Sequence, residues 1–173
     1  MDAKTVNSIQ SYDPNLALAS AHTIPANWYT SPAIAKLEKE AIFKNNWLYA
    51  GRSDQIQKSG DFVTTNIGGQ PVLLVRNKDN ELKAVANVCR HRAARIECRE
   101  QGHTTRFRCR YHGWAYDLNG KLCGTPDFDG VENFDKSKQP LPEYRVRVWG
   151  PFIFVNLGDQ ESNCDSDFDD FMM

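Results

Sequence analysis

The chain has 173 residues, enough for one ordinary domain whose core needs no disulfide staples. Its 21 Lys and Arg nearly balance its 22 Asp and Glu, and a net charge of -1 excludes a general polyanion-binding role, so nucleic acid is not an expected partner. No apolar run is long enough to span a bilayer, and no membrane partner is expected. Five cysteines without a secretory leader fit a reducing compartment, where Cys beside His signals metal or redox chemistry.

Residues 1–24 are rich in Ser, Asn and Asp without sustained periodicity, which predicts a flexible lead-in. A helical segment is expected over 25–46: Ser31 serves as N-cap, Pro32 takes the first helical position, and Ile34, Leu37, Ala41 and Ile42 form an apolar stripe. It should end near Asn45-Asn46. From Trp47 the period becomes that of strands, with Phe62–Ile67 and Pro71–Val75 paired across Gly68-Gly69.

Asn77-Lys78-Asp79-Asn80 is a turn signal, and the strand restarting at Glu81 runs to Val88 and delivers Cys89. Phe107 and Cys109 share one strand face, with Arg106, Arg108 and Arg110 on the other. Trp114–Leu118 and Lys121–Cys123 read as a hairpin with an Asn119-Gly120 turn. Residues 127–142 are polar and turn-rich, and Arg145–Leu157 ends in the apolar run Phe152–Val155, a closing core strand. Residues 47–158 are thus expected to be a mainly β domain of short antiparallel strands, preceded by one N-terminal helix. The tail 159–173 carries six acids and no base, which predicts a solvated end.

The chemistry concentrates in Cys89-Arg90-His91 and Cys109-Arg110-Tyr111-His112, separated by seventeen residues. Two such loops can hold one tetrahedral zinc or a [2Fe-2S] cluster with two thiolates on one iron and two imidazoles on the other. Zinc fingers usually pair Cys with Cys and His with His, the latter on a helix. Here each loop is mixed and strand-fed, which favours the cluster and leaves a zinc-stabilised interaction module as an alternative.

The two motifs resemble the C-x-H and C-x-x-H pair of Rieske proteins. Tyr111-His112-Gly113-Trp114 and Cys89-Arg90-His91-Arg92-Ala93 resemble in particular the α-subunits of Rieske non-haem iron oxygenases, both ring-hydroxylating and choline monooxygenase-like. Trp28-Tyr29-Thr30, Glu38–Phe43, Trp47, Gln55-Ile56 and Gly60-Asp61-Phe62 extend the resemblance over about 25–157. It implies a Rieske fold with two cluster-binding loops, Cys89 and Cys109 on an inner iron, and His91 and His112 on an outer one. Respiratory Rieske proteins carry an extra disulfide and a cluster-bonding Ser. Ala94, Tyr111 and Trp114 stand at those positions, so a potential near the bottom of the roughly -150 to +300 mV Rieske range is expected.

The same resemblance implies a ferredoxin or flavin reductase as electron donor, a mononuclear-iron oxygenase domain as acceptor, and a homo-oligomer. That domain's Fe(II) is held by two His and a carboxylate. Only His22 and His103 remain once the cluster is supplied, so the catalytic domain is expected to be absent and no catalytic residue is assigned. The expected role is single-electron transfer as the Rieske part of an oxygenase, with a stand-alone Rieske ferredoxin as the alternative. The helical lead-in argues against the latter. A cytoplasmic location is expected, with an organelle such as the chloroplast left open.

Seven arginines between Cys89 and Arg110 face only Glu97 and Glu100, a basic region that either docks an acidic donor or is a solvated strand face. Cys98, Cys123 and Cys164 are expected to be ordinary thiols.

Overall fold

A computed structural model describes residues 3–158. The acidic tail lies outside the described residues. The chain opens with helix α1 (Ala3–Gln10), where the sequence predicts a flexible lead-in. No residue of α1 is buried, but the segment is tied down from outside: the Trp28 indole N–H donates to Ser8 Oγ at 2.8 Å, and Tyr12 packs on Trp28 with ring centroids 5.5 Å apart. This tertiary anchoring leaves no periodic trace in the sequence.

Helix α2 (Pro32–Glu38) starts as predicted, with Ser31 Oγ accepting from the Ile34 N–H at 3.4 Å. Its last turn widens to a π-turn over Lys39–Phe43. There the Asn45 side-chain amide donates to the Glu40 and Ala41 carbonyls, as suits acceptors at a helix end, and that of Asn46 adds to the Ile42 carbonyl, which also accepts from the Asn45 and Asn46 N–H groups.

The strands are β1 (Leu48–Arg52), β2 (Asp61–Ile67), β3 (Gln70–Arg76), β4 (Leu82–Ala86), β5 (Gln101–His103), β6 (Phe107–Arg108), β7 (Ala115–Tyr116), β8 (Leu122–Gly124), β9 (Glu143–Trp149) and β10 (Phe152–Asn156). Seven form one sheet in the order β1-β10-β9-β4-β3-β2-β5, and β6-β7-β8 form a second. Ile67 pairs with Gln70, so Gly68 and Gly69 make a two-residue turn, and both have the positive φ that such a turn demands. Arg145–Leu157 is a hairpin rather than one strand, turning at Gly150 (φ 52°) before Pro151.

Alternation on β3 and β4 builds two cores, one on each face of the large sheet. Val72, Leu74 and Ala84 join Ile153 and Val155 on one side. Leu73, Val75 and Val85 join Cys89, Phe107, Cys109, Trp114 and Tyr116 on the other. β4 and β9 are sheet neighbours, pairing Ala84 with Tyr144. Everything between them is therefore an excursion that leaves and re-enters the same place, carrying both candidate loops and the small sheet. β5, which lacks a strand signature of its own, pins the middle of that excursion by pairing with β2.

Candidate metal centre

The two loops adopt one backbone design. In the first, the Ala93 N–H donates to the Cys89 carbonyl at 3.0 Å and the Cys89 N–H to the Ala94 carbonyl at 2.8 Å. In the second, Gly113 N–H donates to Cys109 carbonyl at 2.9 Å and Cys109 N–H to Trp114 carbonyl at 2.8 Å. Each closes through a left-handed residue, Ala93 (φ 53°) and Gly113 (φ 72°). The spacings C-x-H and C-x-x-H thus place His at the third and fourth positions of equivalent turns.

The four side chains come together in two layers. Cys89 and Cys109 are each 3% exposed within the second core, with the Cys89 thiol beside that of Cys109. Burial, reinforced by Cys89, pushes the Cys109 thiol up, so a buried thiolate there requires a cation to hold it. The imidazoles lie further out: His91 is half-buried and His112 exposed, their ring centroids 4.6 Å apart. Burial first, then His112 and Arg92, push His91 down, which keeps the ring neutral with a lone pair to offer. His91 Nδ1 is buried without a hydrogen-bond partner, an arrangement that is unfavourable unless another acceptor of that lone pair is present. A metal ion is such an acceptor, and two thiols and two imidazoles are the donor set a mixed-ligand [2Fe-2S] cluster takes.

Aromatic side chains fix the rings. Trp114 stacks on His91 at 4.8 Å and 9°, and Tyr111, 60% exposed, lies 3.8 Å from His112. Phe128 and Phe134 pack against Trp114 at 5.5 and 5.6 Å, so the polar, turn-rich stretch also braces the site. Ala94 packs against the second core, and the four described cysteines are all unpaired. His103 sits on β5, its Nδ1 3.0 Å from Asp61 Oδ1, and His22 Nδ1 lies 3.1 Å from the Ser20 carbonyl.

Tyr116 is the participant that the sequence reading misses. It is fully buried, its hydroxyl accepts from the Arg90 N–H at 3.1 Å and lies 3.4 Å from Cys89 Sγ. Burial, with Cys89 adjoining, pushes the phenol far up, so it remains a proton-bearing donor. A strand through Trp114 puts Tyr116 on the same inward face, which is a usable signal; its partner, 27 residues away, is not visible from spacing.

Residues 46–135 match the family model described as "Rieske [2Fe-2S] domain". The chain belongs to the Rieske [2Fe-2S] domain family. Its cofactor is the Rieske [2Fe-2S] cluster, and its main architecture is the antiparallel β fold expected from the sequence. Chloroplastic choline monooxygenase from Spinacia oleracea is 38% identical over 157 residues, covering 88% of this chain and 36% of that protein. The carnitine monooxygenase oxygenase subunit of Escherichia coli K12 is 35% identical over 137 residues, 79% of this chain and 37% of that protein.

Among solved structures, the apo quaternary ammonium Rieske monooxygenase CntA superposes with a TM-score of 0.79 at 29% identity, over 87% of this chain and 44% of that one. Naphthalene 1,2-dioxygenase with bound indole gives 0.74 at 33%, over 80% and 31%. The Rieske chain spans about a third of the length of the curated relatives it matches. These relatives are components of oxidoreductases, and they favour the oxygenase reading over a stand-alone ferredoxin. No described helix is long and apolar enough to cross a membrane.

Proposed function

We propose that Cys89 and Cys109 hold the inner iron of the cluster through Sγ, that His91 and His112 hold the outer iron through ring nitrogens, and that the domain relays single electrons within a choline or carnitine monooxygenase-like oxygenase. The observation that carries this reading is the pair of equivalent turns that bury two thiols and set two imidazoles outside them, one with an unpartnered Nδ1. The cluster supplies a site that gains and loses one electron. The chain's residues do the rest: the core around Cys89 and Cys109 excludes water from the thiolates, Trp114 orients His91, and Tyr111 covers His112.

A ferredoxin or flavin reductase is the proposed donor, and a mononuclear-iron oxygenase domain, in the same or another subunit, the acceptor. One CntA structure is described as giving insights into inter-subunit electron transfer, which supports a homo-oligomeric arrangement. The relatives direct the substrate class toward quaternary ammonium compounds. The plant relatives are chloroplastic, which supports that location beside the cytoplasmic one.

Anaerobic purification tests the reading directly. The expected protein is reddish-brown, holds two iron and two sulfide per chain, and gives a rhombic Rieske EPR spectrum when reduced. Stoichiometric zinc without sulfide would overturn it, as would an intact cluster in Cys109→Ala.

A further inference from the structure

A cavity beside the first Cys/His turn adjoins a second at the α2 segment. One, of about 460 Å³, is lined by Arg90, His91 and Arg92 together with Gln70 and Tyr144. The other, of about 360 Å³, is lined by Lys36, Lys39, Glu40 and Lys44 and shares Gln70 and Tyr144 with the first. The shared residues set the two cavities side by side, a two-part groove from His91 to the α2 segment. It carries five cations against a single acid, Glu40. Lys36 approaches Glu40 only at 4.0 Å, with both side chains mostly exposed, a pair of little worth. Among the described residues no ion pair engages Lys39, Lys44, Arg90 or Arg92. Arg99, by contrast, is taken by Glu97 at 2.7 Å, and Arg106 and Arg108 are exposed at the small sheet and line neither cavity.

We infer that this groove is the docking track for an acidic protein electron donor, seated from the α2 lysines to Arg90 and Arg92 so that its redox centre meets the His91 edge of the site. The inference rests on the ligand assignment above. The chain's net charge is -1, so attraction for an acidic partner cannot come from total charge and must come from where the cations stand. A concave surface whose cations are mostly unpaired among the described residues concentrates that field, and its far end is the first Cys/His turn. The donor loses one electron and the domain gains one; no atom changes hands.

The test uses the cluster-loaded chain, reduced with dithionite, freed of excess reductant and mixed by stopped flow with an acidic blue-copper protein or with basic ferricytochrome c. One electron passes to the acceptor, Cu(II) becoming Cu(I) or Fe(III) becoming Fe(II). The second-order rate with the copper protein should fall about tenfold between roughly 0.02 and 0.3 M salt, while that with cytochrome c rises. The double variant Lys39→Glu/Lys44→Glu should slow the copper reaction about tenfold at low salt. Arg106→Glu/Arg108→Glu makes the same net-charge change and should leave the rate within about twofold. Equal slowing by both variants, a rate indifferent to salt, or a faster reaction with cytochrome c at low salt overturns the docking track. A chain without the EPR signal before mixing overturns the ligand assignment, and the track with it.

Discussion

Replacing Tyr116 by Phe deletes one hydroxyl from a fully buried position and leaves the ring in place. The Arg90 N–H already occupies a lone pair of that oxygen at 3.1 Å, so the phenolic hydrogen is free to point at Cys89 Sγ, 3.4 Å away. Negative charge at the sulfur grows when an electron arrives, and the O–H···S contact strengthens with it. Hydrogen bonds to charged groups are worth about 1.5–3 kcal/mol. Cys89 would be only one of several ligands to feel the added charge, so roughly half of that, about 1 kcal/mol, is taken as the difference between redox states. For one electron, 59 mV corresponds to a tenfold change or 1.4 kcal/mol, so the variant's midpoint should drop by about 40 mV. An EPR-monitored redox titration at neutral pH, on protein with unchanged iron and sulfide content, measures it. An unchanged or raised midpoint would refute the argument and show that the hydroxyl does not donate to Sγ.

His112→Cys should retain some cluster at a lower potential, since a thiolate adds negative charge where a neutral ring stood; redox titration reads the shift. Glu97, 8% exposed, accepts from the Cys98 and Arg99 N–H groups and pairs with the Arg99 guanidinium, which above all holds its carboxyl below the usual range. A depressed folded-state pKa means stabilisation present above the unfolded value, about 4.3, and lost as pH falls through the folded value. Glu97→Gln should therefore lower the urea midpoint at pH 7 by the equivalent of about 1–3 kcal/mol. The gap from wild type should narrow as the pH falls below about 4.3; a constant gap would refute the assignment.

Strand existence and the two Cys/His motifs were legible because both are short-range signals. β-forming apolar residues mark β2 and β3, alternation marks β4, Gly68-Gly69 marks the β2–β3 turn, and two mixed Cys/His loops narrow the metal chemistry without any fold. What escaped is held by distant partners. α1 is anchored by Trp28, β5 exists because β2 offers it an edge, and Phe128 and Phe134 sit in a stretch whose polar neighbours hide their contact with Trp114. The basic region between the loops divided once partners were visible: Arg99 is a structural ion pair, whereas Arg90 and Arg92 open onto a groove whose lysines come from a helical segment about fifty residues earlier.

The equivalence of the two ligand turns makes a last, asymmetric prediction. Both close through a left-handed residue, yet one is Ala93 and the other Gly113. A non-glycine residue in that conformation costs roughly 1–2 kcal/mol. Ala93→Gly relieves it but enlarges the unfolded ensemble by about 0.4–1 kcal/mol, so the net gain should stay below about 1.5 kcal/mol. Gly113→Ala incurs the conformational cost and also sets a methyl 3.1 Å from Pro126 Cγ, closer than ordinary contact, on a ring that cannot swing aside as a flexible chain would. It should destabilise by 2 kcal/mol or more, a loss of about the size overpacking produces. Because Gly113 follows His112 directly, the strain should also loosen that ring, seen as a broadened rhombic EPR spectrum. Equal tolerance of Gly113→Ala and Ala93→Gly, in urea midpoint and in EPR, would show that the second turn relaxes freely and that Pro126 does not fix it.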